Sequence, residues 1–225
     1  MALKLFRDTE FASSSLTSHK REELAMHPLG LVALASVWMA VLGNLTLWQT
    51  LLQLPSEGIL QVMLRCSVLA VQIFLALCAL LALLNWRWSL KPAITALLLL
   101  SAIAAMSMQA SATHTINQAA LAMIAKGGVR GWLAGSDPSW IFPVLALIIM
   151  PMVWLLPTPV RRIGWLRRAL TNLAMFAVCI GLLLGSARLF LHENHVLMQI
   201  HPVLYEQVNP LASLWALWRM AVGAP

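Results

Sequence analysis

The stretch MLRCSVLAVQIFLALCALLALL, residues 63–84, holds one charged side chain, Arg65, near its start and none after it. At ~1.5 Å per residue, a helix of this length crosses the ~30 Å hydrocarbon core of a bilayer. The rest of the chain is built the same way. It is 60% hydrophobic and only 10% charged, with a mean hydropathy of +0.81, whereas a soluble domain carries roughly 25% charged residues. The chain therefore reads as an all-α integral membrane protein.

Working outward from residues 63–84, four further apolar runs reach spanning length: 29–52, 93–110, 140–156 and 169–191. Pro28 and Pro92 precede two of them, where a missing N–H costs nothing. The first run is much longer than a signal-peptide core, and no small-x-small site follows LLQLPSEG at 51–58, so it reads as a retained anchor. The expected layout is a tail at 1–27, a five-helix bundle at 28–191 and an interfacial tail or linker at 192–225. The first tail is mixed in charge and Ser-rich, which reads as a disordered, solvated segment.

Orientation follows from the basic residues. With the N-terminus inside, ten lie on the inner side: Lys4, Arg7, Lys20, Arg21, Arg87, Lys91, Arg161, Arg162, Arg167 and Arg168. Five lie outside: Arg65, Lys126, Arg130, Arg188 and Arg219. Cytoplasmic loops hold the excess of Lys and Arg, so the N-terminus is placed inside and the C-terminus outside. The tryptophans agree. Trp48, Trp132, Trp140, Trp215 and Trp218 fall near the outer boundary, and Trp86, Trp88, Trp154 and Trp165 near the inner one. In the outer tail Leu211, Leu214, Trp215 and Trp218 form one apolar helical face, expected to lie on the membrane surface.

Several function classes drop out. The net charge of +7 sits in short segments between spans, so it serves orientation and not nucleic acid. No ionisable residue lies deep in a span, which argues against a pump or an ion-coupled carrier. No internal repeat is visible, which disfavours transporters built from duplicated halves. Cys66, Cys78 and Cys179 are scattered within apolar runs and read as buried small side chains.

HENHVLMQIH, residues 192–201, is the most chemical stretch. His192 and His195 would share a helical face, but the spacing is not H-E-x-x-H, and His201 precedes a proline. It reads as a solvated helix end at the headgroups, with no metal site expected. No nucleophile–base pair or carboxylate pair appears, so no catalytic residue is assigned. Arg65 and Arg188 are placed to snorkel to lipid phosphates. Gln72 is expected to bond a neighbouring helix. The polar end of the first span, with Asn44, Thr46, Gln49 and Gln53, either lines a headgroup groove or joins helices. HTINQAALAMIAKGG at 114–128 reads as a short amphipathic helix that either touches headgroups or simply connects spans. Asn44, Gln49, His114, Asn117 and Gln118 are the candidate lipid-binding residues.

This layout resembles the membrane half of the lipid A phosphoethanolamine transferases, the family that includes the colistin-resistance transferases. NLTLW at 44–48, LKPAITALLLLSAIAA from Leu90, SWIFPVLALIIMPMVWLL before a basic loop, and HPVLYEQVNPLASLW in the tail carry the likeness. The resemblance implies a bacterial inner-membrane, multi-pass domain, cytoplasmic at its N-terminus and periplasmic at its C-terminus. It also implies phosphatidylethanolamine and lipid A as lipid partners. Gln118, Ala122 and Lys126 stand where the family carries Asn, Thr and Glu linked to substrate binding. The family's zinc-dependent domain, with its threonine nucleophile, would follow the point where this sequence ends. Zinc is thus implied only for that domain, and no cofactor is expected here. The implied role is to anchor a catalytic domain and position its lipid, without catalysis by this chain alone. The alternative is a stand-alone membrane scaffold with a cytoplasmic protein partner.

Overall fold

The structure, a computed structural model, describes residues 25–53, 58–110, 149–155, 157–161, 163–200 and 208–222. Apolar runs with few breakers become helices here, because only a helix satisfies its own backbone without water. These are α1 (Pro28–Val41), α2 (Leu45–Leu52), α3 (Ile59–Leu84), α4 (Leu90–Ala110), α5 (Trp165–Leu189), α6 (Leu191–Ile200) and α7 (Leu211–Val222). A 3-10 turn, Leu42–Asn44, joins α1 to α2, and residues 149–155 are also helical. Among the described residues the single β pairing is an isolated bridge between Met26 and Val160.

Local chemistry sets the helix starts. His27 caps α1, its Nδ1 accepting the Leu29 N–H at 3.2 Å, and Pro28 occupies the first helical position. α4 starts at Leu90, before Pro92 and not after it. A proline within the first turn breaks no intrahelical bond, so the helix tolerates it there. α5 starts at Trp165, so Arg167 and Arg168 belong to its first turn and not to a loop.

Among the described residues two helices, α3 and α5, are long and apolar enough to cross a membrane. α3 is the central element. Its Leu69, Ile73, Leu77 and Leu81 repeat every four residues and enter one core. Leu31, Val32, Ala35 and Met39 of α1 join that core, as do Leu90, Ile94, Leu97 and Leu98 of α4. α5 instead leaves most of its surface apolar and open, with Leu170, Leu173, Val178, Leu182 and Leu184 exposed. A surface of that kind suits a hydrocarbon solvent.

The seam between α3 and α5 runs antiparallel and carries polar rungs. Asn85 Nδ2 donates to Asn172 Oδ1 at 2.9 Å, and Asn172 Nδ2 donates back to the Asn85 backbone carbonyl at 2.7 Å. Seven residues along both helices, Cys78 and Cys179 pack together with Leu75 and Ala79. About two heptads further, Arg65 meets Glu193 at 2.7 Å. A seven-residue spacing on both partners is the geometry of left-handed knobs-into-holes packing. Gln72 lies between these rungs, and its Nε2 is buried with no partner among the described residues. No interhelical bond through that amide nitrogen is made among the described residues.

The register is open to a direct check. The Cys78 and Cys179 side chains are buried in one cluster between α3 and α5. A membrane-permeant oxidation catalyst should join these two within one chain and leave Cys66 free for alkylation, read by non-reducing peptide mass spectrometry. A Cys66-containing cross-link would mean the register is wrong.

Candidate functional site

The first apolar run does not form one helix. It breaks at Leu42–Asn44, and a break inside an apolar bundle leaves backbone carbonyls without amide donors. Two side chains replace those donors. Asn44 Nδ2 donates to the Met39 carbonyl at 3.0 Å and the Ala40 carbonyl at 3.2 Å. Trp48 Nε1 donates to the Val41 carbonyl at 2.8 Å.

Asn44 does a second thing. Its Nδ2 also donates to the Asn209 carbonyl at 2.9 Å, and its Oδ1 accepts the Asn209 N–H at 2.8 Å. Asn209 Oδ1 in turn accepts from Ser213 Oγ at 3.1 Å, in the first turn of α7. Asn44 and Asn209 are 0% and 1% exposed, so this clasp is shielded from competing water. It ties the late chain to the break in the first run. Leu211 and Leu214 then pack on the core, while Trp215 and Trp218 turn outward. Their rings stack with centroids 4.7 Å apart. The apolar face expected of this helix is thus divided, leucines inward and tryptophans outward.

The start of α3 and the end of α5 meet at the same end of the bundle. Arg65 Nε donates to Glu193 Oε2 at 2.7 Å, with side chains 12% and 19% exposed. Arg65 was expected to reach lipid phosphates. Glu193 captures it because α5 and α6 continue with only a turn at Phe190 between them, bringing the carboxylate over α3. His192 and His195 are exposed on α6. Among the described residues, no group of three His, Cys, Asp or Glu is placed to hold a metal ion. Beside the first turns of α3 an open cavity of about 650 Å³ is lined by Gly58, Leu60, Gln61, Met63, Leu64 and Ser67.

The opposite end of α3 holds a third polar centre. Arg168 Nε donates to the Asn85 carbonyl at 2.9 Å, and its Nη2 donates to Asn85 Oδ1 at 2.7 Å. Asn172 Nδ2 donates to the same Asn85 carbonyl at 2.7 Å. These bonds cap the end of α3, whose last carbonyls otherwise lack donors.

Of the residues expected to bind lipid, Asn44 is buried within the clasp and Gln49 is exposed on α2. The two do not share a surface. His114, Asn117 and Gln118 lie outside the described residues. Asn209, Ser213, Asn85 and Asn172 also build these polar centres, and no local motif assigns them there. An asparagine in an apolar run is a usable signal, since it needs partners there, but it does not name the partner.

This architecture, with apolar spans, polar clasps between helices and an aromatic-tipped final helix, defines a helical membrane domain. The family model described as phosphoethanolamine transferase EptA/EptB, N-terminal domain, matches residues 73–224. The chain belongs to that family. Comparison with curated proteins found no match, and comparison with solved structures found none.

Replacing Asn44 with Leu removes the clasp and leaves buried carbonyls unpaired. Each unsatisfied buried group costs about 1–3 kcal/mol, so a loss of at least that size is expected in detergent unfolding. The Trp215–Trp218 fluorescence should shift at lower denaturant than the helical circular dichroism. Ser213→Ala removes one bond only and should cost about 1 kcal/mol. If Asn44→Leu unfolds like the parent protein, the clasp contributes nothing.

Proposed function

We propose that this domain anchors a phosphoethanolamine transferase in the bacterial inner membrane and holds its donor lipid, phosphatidylethanolamine, for a catalytic domain or partner on the outer side. In this reading five helices cross the bilayer, with the N-terminus cytoplasmic and the C-terminus periplasmic. The excess of Lys and Arg on the inner segments supports that orientation. Family membership over residues 73–224 is the observation that carries the function.

The described side chains support positioning over chemistry. Asn44, Asn85, Arg168, Asn172 and Glu193 bond the protein's own helices. A lipid held at the bilayer surface gains proximity to a reacting group, and proximity is what such a domain can supply. The cavity beside α3 is walled mainly by apolar side chains that suit an acyl chain, with Gln61 as its amide. Gln49 on α2 and the outer-loop residues His114, Asn117 and Gln118 are assigned to the headgroup. The acceptor in this reading is lipid A or a related glycolipid, and phosphoryl transfer takes place outside this chain.

The test uses the full chain in nanodiscs containing equal phosphatidylethanolamine and phosphatidylcholine, with retained lipid counted by native mass spectrometry. Phosphatidylethanolamine should be retained preferentially, and Gln49→Leu with Gln61→Leu should reduce the preference about 5-fold, the worth of about one net hydrogen bond. Equal retention of the two lipids would sink the donor-binding role. The same preparation, given lipid A, should produce no phosphoethanolamine-modified product. Product formation by this chain alone would sink the assignment of chemistry elsewhere.

A further inference from the structure

The Arg168 end of α3 carries an electrostatic problem that the described residues do not solve. Arg168 is only 6% exposed, and a guanidinium stays charged in proteins. Its bonds run to a carbonyl and a carboxamide of Asn85, both neutral. Such acceptors orient a buried cation without neutralising it, and an uncompensated buried charge is costly. Arg87 adds to the cost, because it lies within Coulombic range of Arg168. Among the described residues the one carboxylate is Glu193, and it is bound to Arg65 at the opposite end of α3.

The surroundings indicate which anion fits. Arg87 is exposed, and its guanidinium sits 5.6 Å from the centre of the Trp88 ring. Trp86 and Trp88, just past the end of α3, and Trp165, at the start of α5, are 49%, 83% and 75% exposed. Exposed indoles beside arginines mark the depth of lipid headgroups. At that depth the available anion is a phosphate, and arginine matches phosphate with paired N–H donors. Asn85 holds the Arg168 guanidinium in one orientation beforehand, and Asn172 holds Asn85, so the charge behind the site is fixed before an anion arrives.

We propose that the arginine-rich end of the α3–α5 seam is a binding site for an anionic phospholipid, with Arg87 contacting the phosphate and Arg168 supplying a fixed charge behind it. The site stands apart from the donor-lipid reading, which concerns the other end of α3 and a zwitterionic lipid. Its occupant is structural: it neutralises the seam where α5 joins α3.

The full chain is placed in phosphatidylcholine nanodiscs with and without phosphatidylglycerol, and both the thermal midpoint and the retained lipids are measured. Phosphatidylglycerol should raise the midpoint by roughly 2–4 °C and be retained in native mass spectrometry. Arg87→Gln, an exposed change that leaves the Asn85 network intact, should abolish both effects. Glu22→Gln with Glu23→Gln should keep both. The proposal is overturned if phosphatidylglycerol changes nothing, or if Arg87→Gln responds like the parent chain. It is equally overturned if the gain appears only in the Glu22/Glu23 variant, since the chain's own carboxylates would then fill the site. A matching gain from inorganic phosphate in phosphatidylcholine alone would also overturn the lipid assignment.

Discussion

A backbone carbonyl inside an apolar bundle has no water to accept from, and this requirement shapes the molecule around residues 42–44. The first run breaks there, and the break is tolerated because Asn44 and Trp48 take over as donors. A carboxylate at position 44 could accept from the Asn209 amide but not donate, and a hydroxyl has a single hydrogen where three carbonyls, those of Met39, Ala40 and Asn209, are served. The carboxamide is the chemical group that does both, and the late chain is held by the same atoms that heal the break.

The α3–α5 seam applies the same logic between two helices. Apolar side chains alone would allow α5 to slide along α3, since lipid solvates a leucine as well as a neighbouring helix does. Polar rungs remove that freedom. Asn85 with Asn172 and Arg65 with Glu193 sit at the two ends, and a slip of one turn would strand both pairs. The Cys78–Cys179 layer between them packs without demanding a partner, so the ends fix the register.

The sequence makes the helices legible and their connections obscure. Long apolar runs mark α1, α3, α4 and α5, because spanning length is a local property. Pro92 misplaces the start of α4 by a few residues, since proline is as acceptable in a first turn as before it. Arg168 looks like one more charge for orientation, and nothing nearby in the chain shows that Asn85, 83 positions earlier, will receive it. Asn44 stands out as a polar residue in a span, yet its partner lies 165 positions away. Glu193 stands out among histidines, yet it answers to Arg65 and not to them. Periodicity finds the face of α7 but cannot divide it, because leucine and tryptophan count alike as apolar. The expected fourth span, apart from residues 149–155, and the outer loop lie outside the described residues.

The Met26–Val160 bridge joins the residues just before α1 to those just before α5, with Met26 N–H donating to the Pro159 carbonyl at 2.9 Å and Arg161 N–H donating to that of Met26 at 3.0 Å. Together with Asn44–Asn209, it ties the earliest described helix to later parts of the chain at both of its ends. The donors that heal the break, Asn44 and Trp48, follow within a few residues, whereas the Pro159–Arg161 partners of Met26 and the Asn209 partner of Asn44 lie more than a hundred positions later. The clasp therefore closes only when both distant segments are in place, so the first described helix is a long-range element although its own turns are local.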